Sequence, residues 1–283
     1  MSKSTGSYPS LIVDTTAKRA VSHAGAVLLA ATATRVGLDR ELSTALEPWM
    51  RPLAVHDPGK VLLDLAIAVA IGGDCLADIA QVRSEPGVFG HVASDPTVSR
   101  LIDTLAADAP AALAAINTAR AAIRGRVWEL AGTDAPDHGA SVSDPLIIDL
   151  DATLITAHSE KELAAATFKR GYGHHPLGAW VDHGPGGTGE FVAMLLRKGN
   201  AGSNTAADHI EVTKAALRRL PSTDPARRPG KKILIRTDGA GGTQRIPELA
   251  DHPTADVLGR VHPDPGHGRQ AGNHPDIGVD PGQ

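Results

Sequence analysis

The sequence predicts an α+β protein in three consecutive parts, and three observations support this. Apolar residues recur at three- and four-residue spacing through most of the first 140 residues, which is typical of amphipathic helices. A stretch rich in Gly, Asp, Ser and Pro follows, and then apolar runs of strand length begin. The final stretch keeps neither period. We therefore expect a helical domain over residues 1–140, a strand-rich domain over 145–242 and a disordered tail over 243–283.

Composition excludes several classes of protein. Hydrophobic residues make up 42% of the 283 residues and charged residues 21%, which is ordinary for a globular protein. Aromatic residues are only 3%, too few for a nucleic-acid binding mode built on many stacked rings. The net charge of −4 excludes a generally basic coat for nucleic acid, but it leaves room for a locally basic groove.

Three features predict a cytoplasmic protein without a membrane partner. The single cysteine, Cys75, cannot form an internal disulfide. The first ten residues contain no apolar core of a signal peptide. The longest apolar run, 61–72, is interrupted by Asp64 and is shorter than the roughly 20 residues that a membrane span needs.

Helices are predicted in the first part over residues 17–36, 61–82, 97–105 and 107–130. Two of them have good start signals, because Asp57-Pro58 and Ser94-Asp95-Pro96 each combine a capping residue with an early proline. The segment 76–105 has two interpretations. It is either a helix-turn-helix whose second helix presents Arg100 to DNA, or a corner of a helical bundle.

Strands are predicted in the second part over residues 146–156, 178–183, 190–198 and 231–237, with a helix over 205–220. The G-x-G-x-x-G pattern at 184–189 lies between two of these strands. A dinucleotide-binding loop has to lead from a strand into a helix, so we interpret this pattern as a hairpin turn.

Carboxylates stand at the ends of two predicted strands. Asp149 and Asp151 lie two residues apart, which places them on the same face of the first strand. Asp238 follows the apolar run 233–237 directly. Hard divalent cations such as Mg²⁺ prefer carboxylate oxygens on rigid elements, so the pattern predicts a metal site at this end of a sheet.

Two chemistries fit such a site from the residues alone. One is two-metal phosphodiester cleavage and strand transfer on a ribonuclease-H-like sheet. The other is aspartyl phosphotransfer, in which Asp149 attacks phosphorus and Asp151 serves as acid and base, as in haloacid-dehalogenase-type phosphatases. A third, non-enzymatic hypothesis is a DNA-binding or regulatory fragment.

Four segments of the second part resemble a known family. They are DLDATLITAHSEKE (149–162), FKRGYGHHPLGAWVDHG (168–184), LLRKGNAGSNTAADHI (195–210) and ILIRTDGAGG (233–242). They resemble the DDE-type transposases of bacterial insertion sequences, most closely the family numbered thirteen-eighty. The helical first part also looks like theirs, so the resemblance covers about residues 10–242.

The resemblance implies a ribonuclease-H-like core that binds Mg²⁺ or Mn²⁺ and cuts and joins transposon DNA ends. In this sequence Asp151 matches the first carboxylate of the metal triad and Asp238 the second, with Asp149 as a neighbouring alternative to Asp151. The family's third carboxylate is a glutamate in a helix well beyond the second aspartate. Glu248, only ten residues on and outside any helical pattern, does not match it.

The tail suggests why the third carboxylate is missing. Its abrupt loss of aromatic residues and of period is what a frameshift near residues 242–244 would produce. We therefore expect a truncated or frameshifted transposase that binds metal weakly and has little or no catalytic activity. Such a chain could still self-associate or pair with an intact transposase.

Basic residues near the predicted site are candidate DNA contacts. Lys169, Arg170, Arg197 and Lys198 could neutralise backbone phosphates, with solvated surface charge as the alternative. Arg236 shares a strand face with Asp238. It could orient a carboxylate, contact phosphate or form a structural ion pair.

Overall fold

The computed structural model describes residues 8–9, 25–202, 205–221 and 232–237. By its internal contacts the chain divides into two compact units. Unit 1 consists of Met1–Ala140, His183–Gly186 and Ala215–Arg227, and unit 2 consists of Ser141–Asp182, Gly187–Lys214 and Arg228–Gln283. Asp238 and the predicted tail lie outside the described residues. Within the described part of the chain, no helix is both long and apolar enough to cross a membrane.

Unit 1 is helical in its described part. Its α-helices there are α1 (Ala26–Val36), α2 (Leu38–Leu46), α3 (Pro58–Ala70), α4 (Ile79–Arg83), α5 (Pro86–Phe89), α6 (Asp95–Ala106) and α7 (Ala109–Ala131). Leu, Ile, Val and Ala side chains from these helices and the turns between them build one core, joined by Phe89. The scarcity of aromatic residues therefore does not prevent a packed helical domain.

The predicted start of α3 is confirmed, and its capping explains it. The Asp57 carboxylate accepts a hydrogen bond from the backbone N–H of Lys60 at 2.8 Å, and Pro58 occupies the first helical position. Ser43 on α2 donates its hydroxyl to the same carboxylate at 2.7 Å. Gly59 allows the two helices to approach, since a Cβ atom there would lie 2.3 Å from the backbone nitrogen of Ser43.

The single helix predicted over 61–82 is wrong, because the helix ends at Ala70. Gly72 has φ +103°, a conformation that favours glycine, and the N–H of Gly73 donates to the carbonyl of Ala68 at 2.9 Å. This 6→1 hydrogen bond is the helix-ending arrangement of a Schellman motif. A 3₁₀ turn, Leu76–Asp78, and α4 then continue the chain.

The other predicted helices appear with shifted ends as α1, α6 and α7, while residues 17–24 of the first one lie outside the described residues. The segment 76–105 contains a 3₁₀ turn and three α-helices, of which α4 has five residues and α5 four. It is therefore not two helices joined by one turn, as the helix-turn-helix interpretation requires.

Inside unit 1 lies a buried ion pair. The Lys60 and Asp64 side chains are 2% and 1% exposed, and Lys60 Nζ lies 2.7 Å from Asp64 Oδ2. Tyr8 donates its hydroxyl to the same carboxylate at 2.7 Å, and Lys60 Nζ lies 4.7 Å from the centre of the Tyr8 ring. Burial raises the pKa of both Tyr8 and Asp64.

Unit 2 contains two sheets. Its strands are β1 (Leu146–Ala152), β2 (Ile155–Thr156), β3 (Ala165–Ala166), β4 (Tyr172–His174), β5 (Leu177–Val181), β6 (Glu190–Leu195) and β7 (Ile233–Thr237), and helix α8 (Ala206–Leu217) begins in it. The larger sheet has the order β6-β5-β1-β7. In it β1 is antiparallel to β5 and parallel to β7, and β5 is antiparallel to β6.

The smaller sheet, of order β2-β4-β3, was not predicted. Its strands have two or three residues each, too short to show an alternating pattern. The strand predicted over 146–156 is accordingly divided into β1 and β2. The G-x-G-x-x-G segment connects the antiparallel strands β5 and β6, as the hairpin interpretation predicted.

Candidate catalytic site at the strand ends

Strand β1 separates a core face from a polar face. Leu146, Ile148 and Leu150 are buried, and Asp149 and Asp151 alternate with them. The alternation predicted from the sequence therefore places both carboxylates on the face away from these buried side chains.

Strand β7 places a charged residue beside the polar face of β1. It runs parallel to β1, with Arg236 beside Asp149 and Thr237 beside Leu150. The next residues along the two strands are Asp151, which the structure describes, and Asp238, which lies outside the described residues.

Arg236 binds two carboxylates at once. Its Nε and Nη2 donate to the two oxygens of Asp149, the second at 2.7 Å, and Nη2 also donates to Asp182 at 2.9 Å. The three side chains are between 26% and 36% exposed. The hydrogen bonds that Arg236 donates to Asp149 are the main cause that raises the pKa of Arg236 above its usual value. Arg236 is thus engaged in an ion pair, one of the roles predicted for it.

Asp151 differs from Asp149 in its surroundings. It is exposed, and among the described residues its carboxylate has neither a hydrogen bond nor an ion pair. Both oxygens of Asp149, in contrast, are held by Arg236. Asp151 is consequently the better placed of the two to bind a ligand, and Asp149 could act as a phosphatase nucleophile only by breaking its pairing with Arg236.

Sequence reasoning missed Asp182. It directly follows β5 and lies beside Ile147, toward the beginning of β1 and away from Asp151, and its N–H donates to the carbonyl of Ile147 at 3.0 Å. The strand prediction over 178–183 included Asp182 in the strand interior. Counting every aspartate at the end of an apolar run would have found it.

Of the predicted DNA contacts, Arg197 is placed in the interior of unit 2. Its side chain is 4% exposed, and it donates to the carbonyls of His175 and Gly202 and to the carboxylate of Asp208. This position favours a structural role over direct contact with DNA.

The other predicted basic contacts are at the surface. Lys169 and Arg170 lie in the turn between β3 and β4, and Lys198 is exposed beside His174. In unit 1, Arg100 on α6 lines a small cleft together with Trp49, Arg51 and His56.

A cluster in unit 1 has the composition of a metal site but is explained by local structure. Asp74, Cys75 and Asp78 lie close together. The Asp78 carboxylate accepts the backbone N–H groups of Asp74 and Cys75 at 2.9 and 3.0 Å, and these hydrogen bonds lower its pKa. The cluster caps a 3₁₀ turn.

Comparison with known proteins identifies the family. A family model described as transposase DDE domain group 1 matches residues 3–260. The chain belongs to this family. No curated protein and no solved structure matched.

DDE transposases use divalent metal ions, and the strand-end residues of this transposase fit one. Asp151 offers carboxylate oxygens that are exposed and free of partners among the described residues. Asp149, two residues before it on the same strand face, is held by Arg236 and so does not compete with Asp151 for a cation. Hard oxygen ligands of this kind are those that Mg²⁺ and Mn²⁺ prefer.

Proposed function

We propose that this chain is an insertion-sequence transposase of the thirteen-eighty type, whose substrate is transposon-end DNA. Residues 145–242 form its ribonuclease-H-like catalytic domain, and residues 1–140 form a helical domain that contributes to DNA binding. Asp151 and Asp238 provide the first two carboxylates for Mg²⁺ or Mn²⁺.

The register of β1 and β7 carries this proposal. The two strands are parallel neighbours, with Leu150 beside Thr237, and an aspartate is the next residue after each member of this pair. Parallel strands end at the same edge of a sheet, so two such aspartates are well placed to share one cation.

The sheet order supports a ribonuclease-H-like domain. A parallel pair, β1 and β7, is extended on the β1 side by two antiparallel strands, and α8 follows β6 along the chain before β7. The carboxylates of the proposed site come from the two strands of the parallel pair.

The chain's own residues have distinct roles in this proposal. Asp151 binds the cation directly, whereas Arg236 ties Asp149 on β1 to its own strand β7 and so fixes the two strand ends relative to each other. When bound, a divalent cation activates the attacking hydroxyl and stabilises the charge that develops around phosphorus.

We further propose that a polypeptide of residues 1–283 is deficient in strand transfer. Glu248 is its only glutamate beyond Asp238, and it matches no helical pattern. Such a polypeptide retains DNA binding and can pair with a copy of itself or with an intact transposase. Incubation with labelled DNA ends and Mn²⁺ tests this, because joined products formed by the purified polypeptide would contradict it.

A metal titration tests the site itself. Mn²⁺ binding is followed by electron paramagnetic resonance for the wild type, Asp151→Asn and Asp149→Asn. Asp151→Asn is expected to weaken Mn²⁺ binding at least tenfold, because it removes a ligand. Asp149→Asn is the matched control, the same change two residues away on the same strand face, and is expected to weaken it much less.

Two other results would replace this proposal. Equal Mn²⁺ affinity for the wild type and Asp151→Asn would contradict the metal site, and DNA binding unaffected by Asp151→Ala or Asp238→Ala would then favour a regulatory fragment. Turnover of a phosphomonoester that is lost in Asp149→Asn would instead establish the phosphatase.

A further inference from the structure

The turn between β3 and β4 displays an aromatic ring and two cations side by side. Phe168 is 64% exposed, and Lys169 and Arg170 are exposed next to it. The chain has only three phenylalanines, of which Phe89 is 3% exposed in the core of unit 1. The face of the Phe168 ring is therefore available to a ligand, and the two cations beside it favour a ligand with negative charge.

The turn is well ordered by its own hydrogen bonds. The N–H of Arg170 donates to the carbonyl of Thr167 at 3.1 Å, and the N–H of Thr167 donates to the carbonyl of Gly171 at 2.9 Å. The N–H of Gly171 also donates to the Thr167 hydroxyl at 3.0 Å. Phe168, Lys169 and Arg170 therefore form a three-residue hairpin loop whose backbone is held by these three hydrogen bonds.

Arg170 occupies a position that suits glycine better. Its φ of +62° is in the left-handed region, and the third residue of such a loop is commonly glycine for that reason. Leu53 and Leu163 share this conformation among the described residues, and Arg170 is the charged one of the three, with its side chain exposed at the turn.

The Phe168 ring has a buried support. The ring of His175, 2% exposed, lies 5.3 Å from it at an angle of 59°. Lys169 Nζ lies 6.0 Å from the centre of the Phe168 ring, so a positive charge lies close to the exposed ring.

The β3–β4 hairpin is connected to the strand that carries Asp151 by continuous backbone pairing. Asp151 pairs with Gly178, the N–H of Thr153 donates to the carbonyl of Pro176, and Ile155 pairs with His174. Phe168 lies ten positions before Gly178 along the chain, which at about 3.3 Å per residue is at most about 33 Å. This is shorter than one turn of B-DNA, about 34 Å, so one DNA end can reach both places.

We propose that the β3–β4 hairpin contacts the DNA end beside the reacting phosphate. Phe168 stacks on an unpaired base, and Lys169 and Arg170 neutralise the flanking phosphates. Positive charge on both residues that follow the ring matches the phosphates that flank every base, which is why DNA is the occupant rather than an apolar protein surface. This inference rests on the proposed function.

The test compares two fluorescein-labelled 30-base-pair duplexes that differ by one unpaired base. Affinities are measured by fluorescence anisotropy for the wild type, Phe168→Ala, Phe168→Trp and Met194→Ala. Met194, 45% exposed on β6, is the matched control for loss of an exposed apolar side chain. Circular dichroism verifies that each variant is folded.

The expected result is selective. Phe168→Ala weakens binding to the duplex with the unpaired base by about tenfold and changes binding to the paired duplex by less than about twofold, since stacking of one base is the lost interaction. Phe168→Trp retains the affinity, and its fluorescence is quenched more strongly by the duplex with the unpaired base. Met194→Ala behaves as the wild type.

The cations are tested by salt dependence. Lys169→Ala and Arg170→Gly each reduce the slope of log affinity against log salt by about one, because each removes one phosphate contact. Arg170→Gly also raises the melting temperature, because glycine adopts the left-handed conformation without strain. A more stable protein that binds DNA less well is the signature of a residue kept for binding.

The outcomes separate this inference from the proposed function. Equal losses for both duplexes in Phe168→Ala, or a loss no larger than that of Met194→Ala, overturn the stacking role. Unchanged salt slopes in both cation variants overturn the phosphate contacts. A wild-type chain that binds neither duplex at low salt removes the DNA substrate and with it the proposed function.

Discussion

Two clusters of paired charges, one in each unit, differ in how deeply they are buried and in how many partners each cation has. In unit 1, Lys60 and Asp64 are almost completely buried and pair one to one. In unit 2, Arg236 faces two carboxylates, Asp149 and Asp182, all three about one-third exposed. Beside this second cluster stands Asp151, exposed and without a partner among the described residues.

The difference separates charge that maintains a fold from charge available to a ligand. Burial makes each partner of Lys60–Asp64 indispensable to the other, because a lone charge inside a protein costs several kcal/mol. In the partly exposed cluster of unit 2, water moderates every interaction, so each partner is less dependent on the others. The Asp151 carboxylate beside it has no partner among the described residues and is available to a ligand.

The largest effect is expected from breaking the buried pair. Asp64→Asn leaves the Lys60 ammonium without its counter-charge, and the free energy of unfolding should fall by about 3–5 kcal/mol. Urea denaturation followed by circular dichroism measures it. The double variant Lys60→Met/Asp64→Leu is the control and should recover most of the loss. A single-variant loss below about 1 kcal/mol would contradict the comparison.

A smaller effect is expected from the exposed cluster. Arg236→Met leaves Asp149 and Asp182 without their shared partner, but water solvates both, so the loss should be only about 1 kcal/mol. The same urea denaturation measures it. Arg236→Lys keeps the charge and loses the two-pronged geometry, and should lie between the wild type and Arg236→Met. A loss as large as that of Asp64→Asn would show that exposure does not distinguish the clusters.

Asp151 should be nearly neutral for stability without metal. Asp151→Asn removes no hydrogen bond or ion pair among the described residues, so the change should stay within about 0.5 kcal/mol. Excess Mn²⁺ should then raise the melting temperature of the wild type and not that of the variant, because only a ligand-binding native state is stabilised. Destabilisation by more than about 1 kcal/mol in metal-free buffer would assign Asp151 a structural role.

The smallest effect concerns His56 in the cleft of unit 1, close to Lys60, His91, Arg51 and Arg100. Burial, followed by the charges of Lys60 and His91, lowers the pKa of His56 below 6.5. The unfolded chain therefore takes up a proton first as the pH falls, and stability decreases between pH 7 and pH 5. His56→Asn should flatten this part of a curve of melting temperature against pH, and an unchanged curve would contradict the assignment.

Much of the fold could be predicted from local patterns. Asp57-Pro58 correctly marked the start of α3, and the alternation in β1 correctly placed Asp149 and Asp151 on one face. The helix predicted over 61–82 failed because an apolar period continues across Gly72 and Gly73, whose backbone conformation ends the helix. The smaller sheet was missed because its strands are too short to have a period.

The candidate site was only partly visible. Strand-end aspartates indicated where it lies, but the sequence could not say which of Asp149 and Asp151 is free, since that depends on Arg236, 87 residues from Asp149. The exposure of Phe168 was missed for the same reason, because it depends on what lies beside the ring in space. Asp182 was missed because the predicted strand, 178–183, ran past the end of β5 at Val181.

By itself the sequence determined most of the longer elements and the chemistry they carry. It gave unit 1 its helical period, β1 its alternation and the strand ends their carboxylates, because these depend on neighbours within a few residues along the chain. The tertiary structure decided which charges are neutralised. Pairing of β7 with β1 places Arg236 beside Asp149 and leaves the Asp151 carboxylate exposed. Which of the two carboxylates is neutralised therefore depends on a contact between strands that are distant in the chain and adjacent in space.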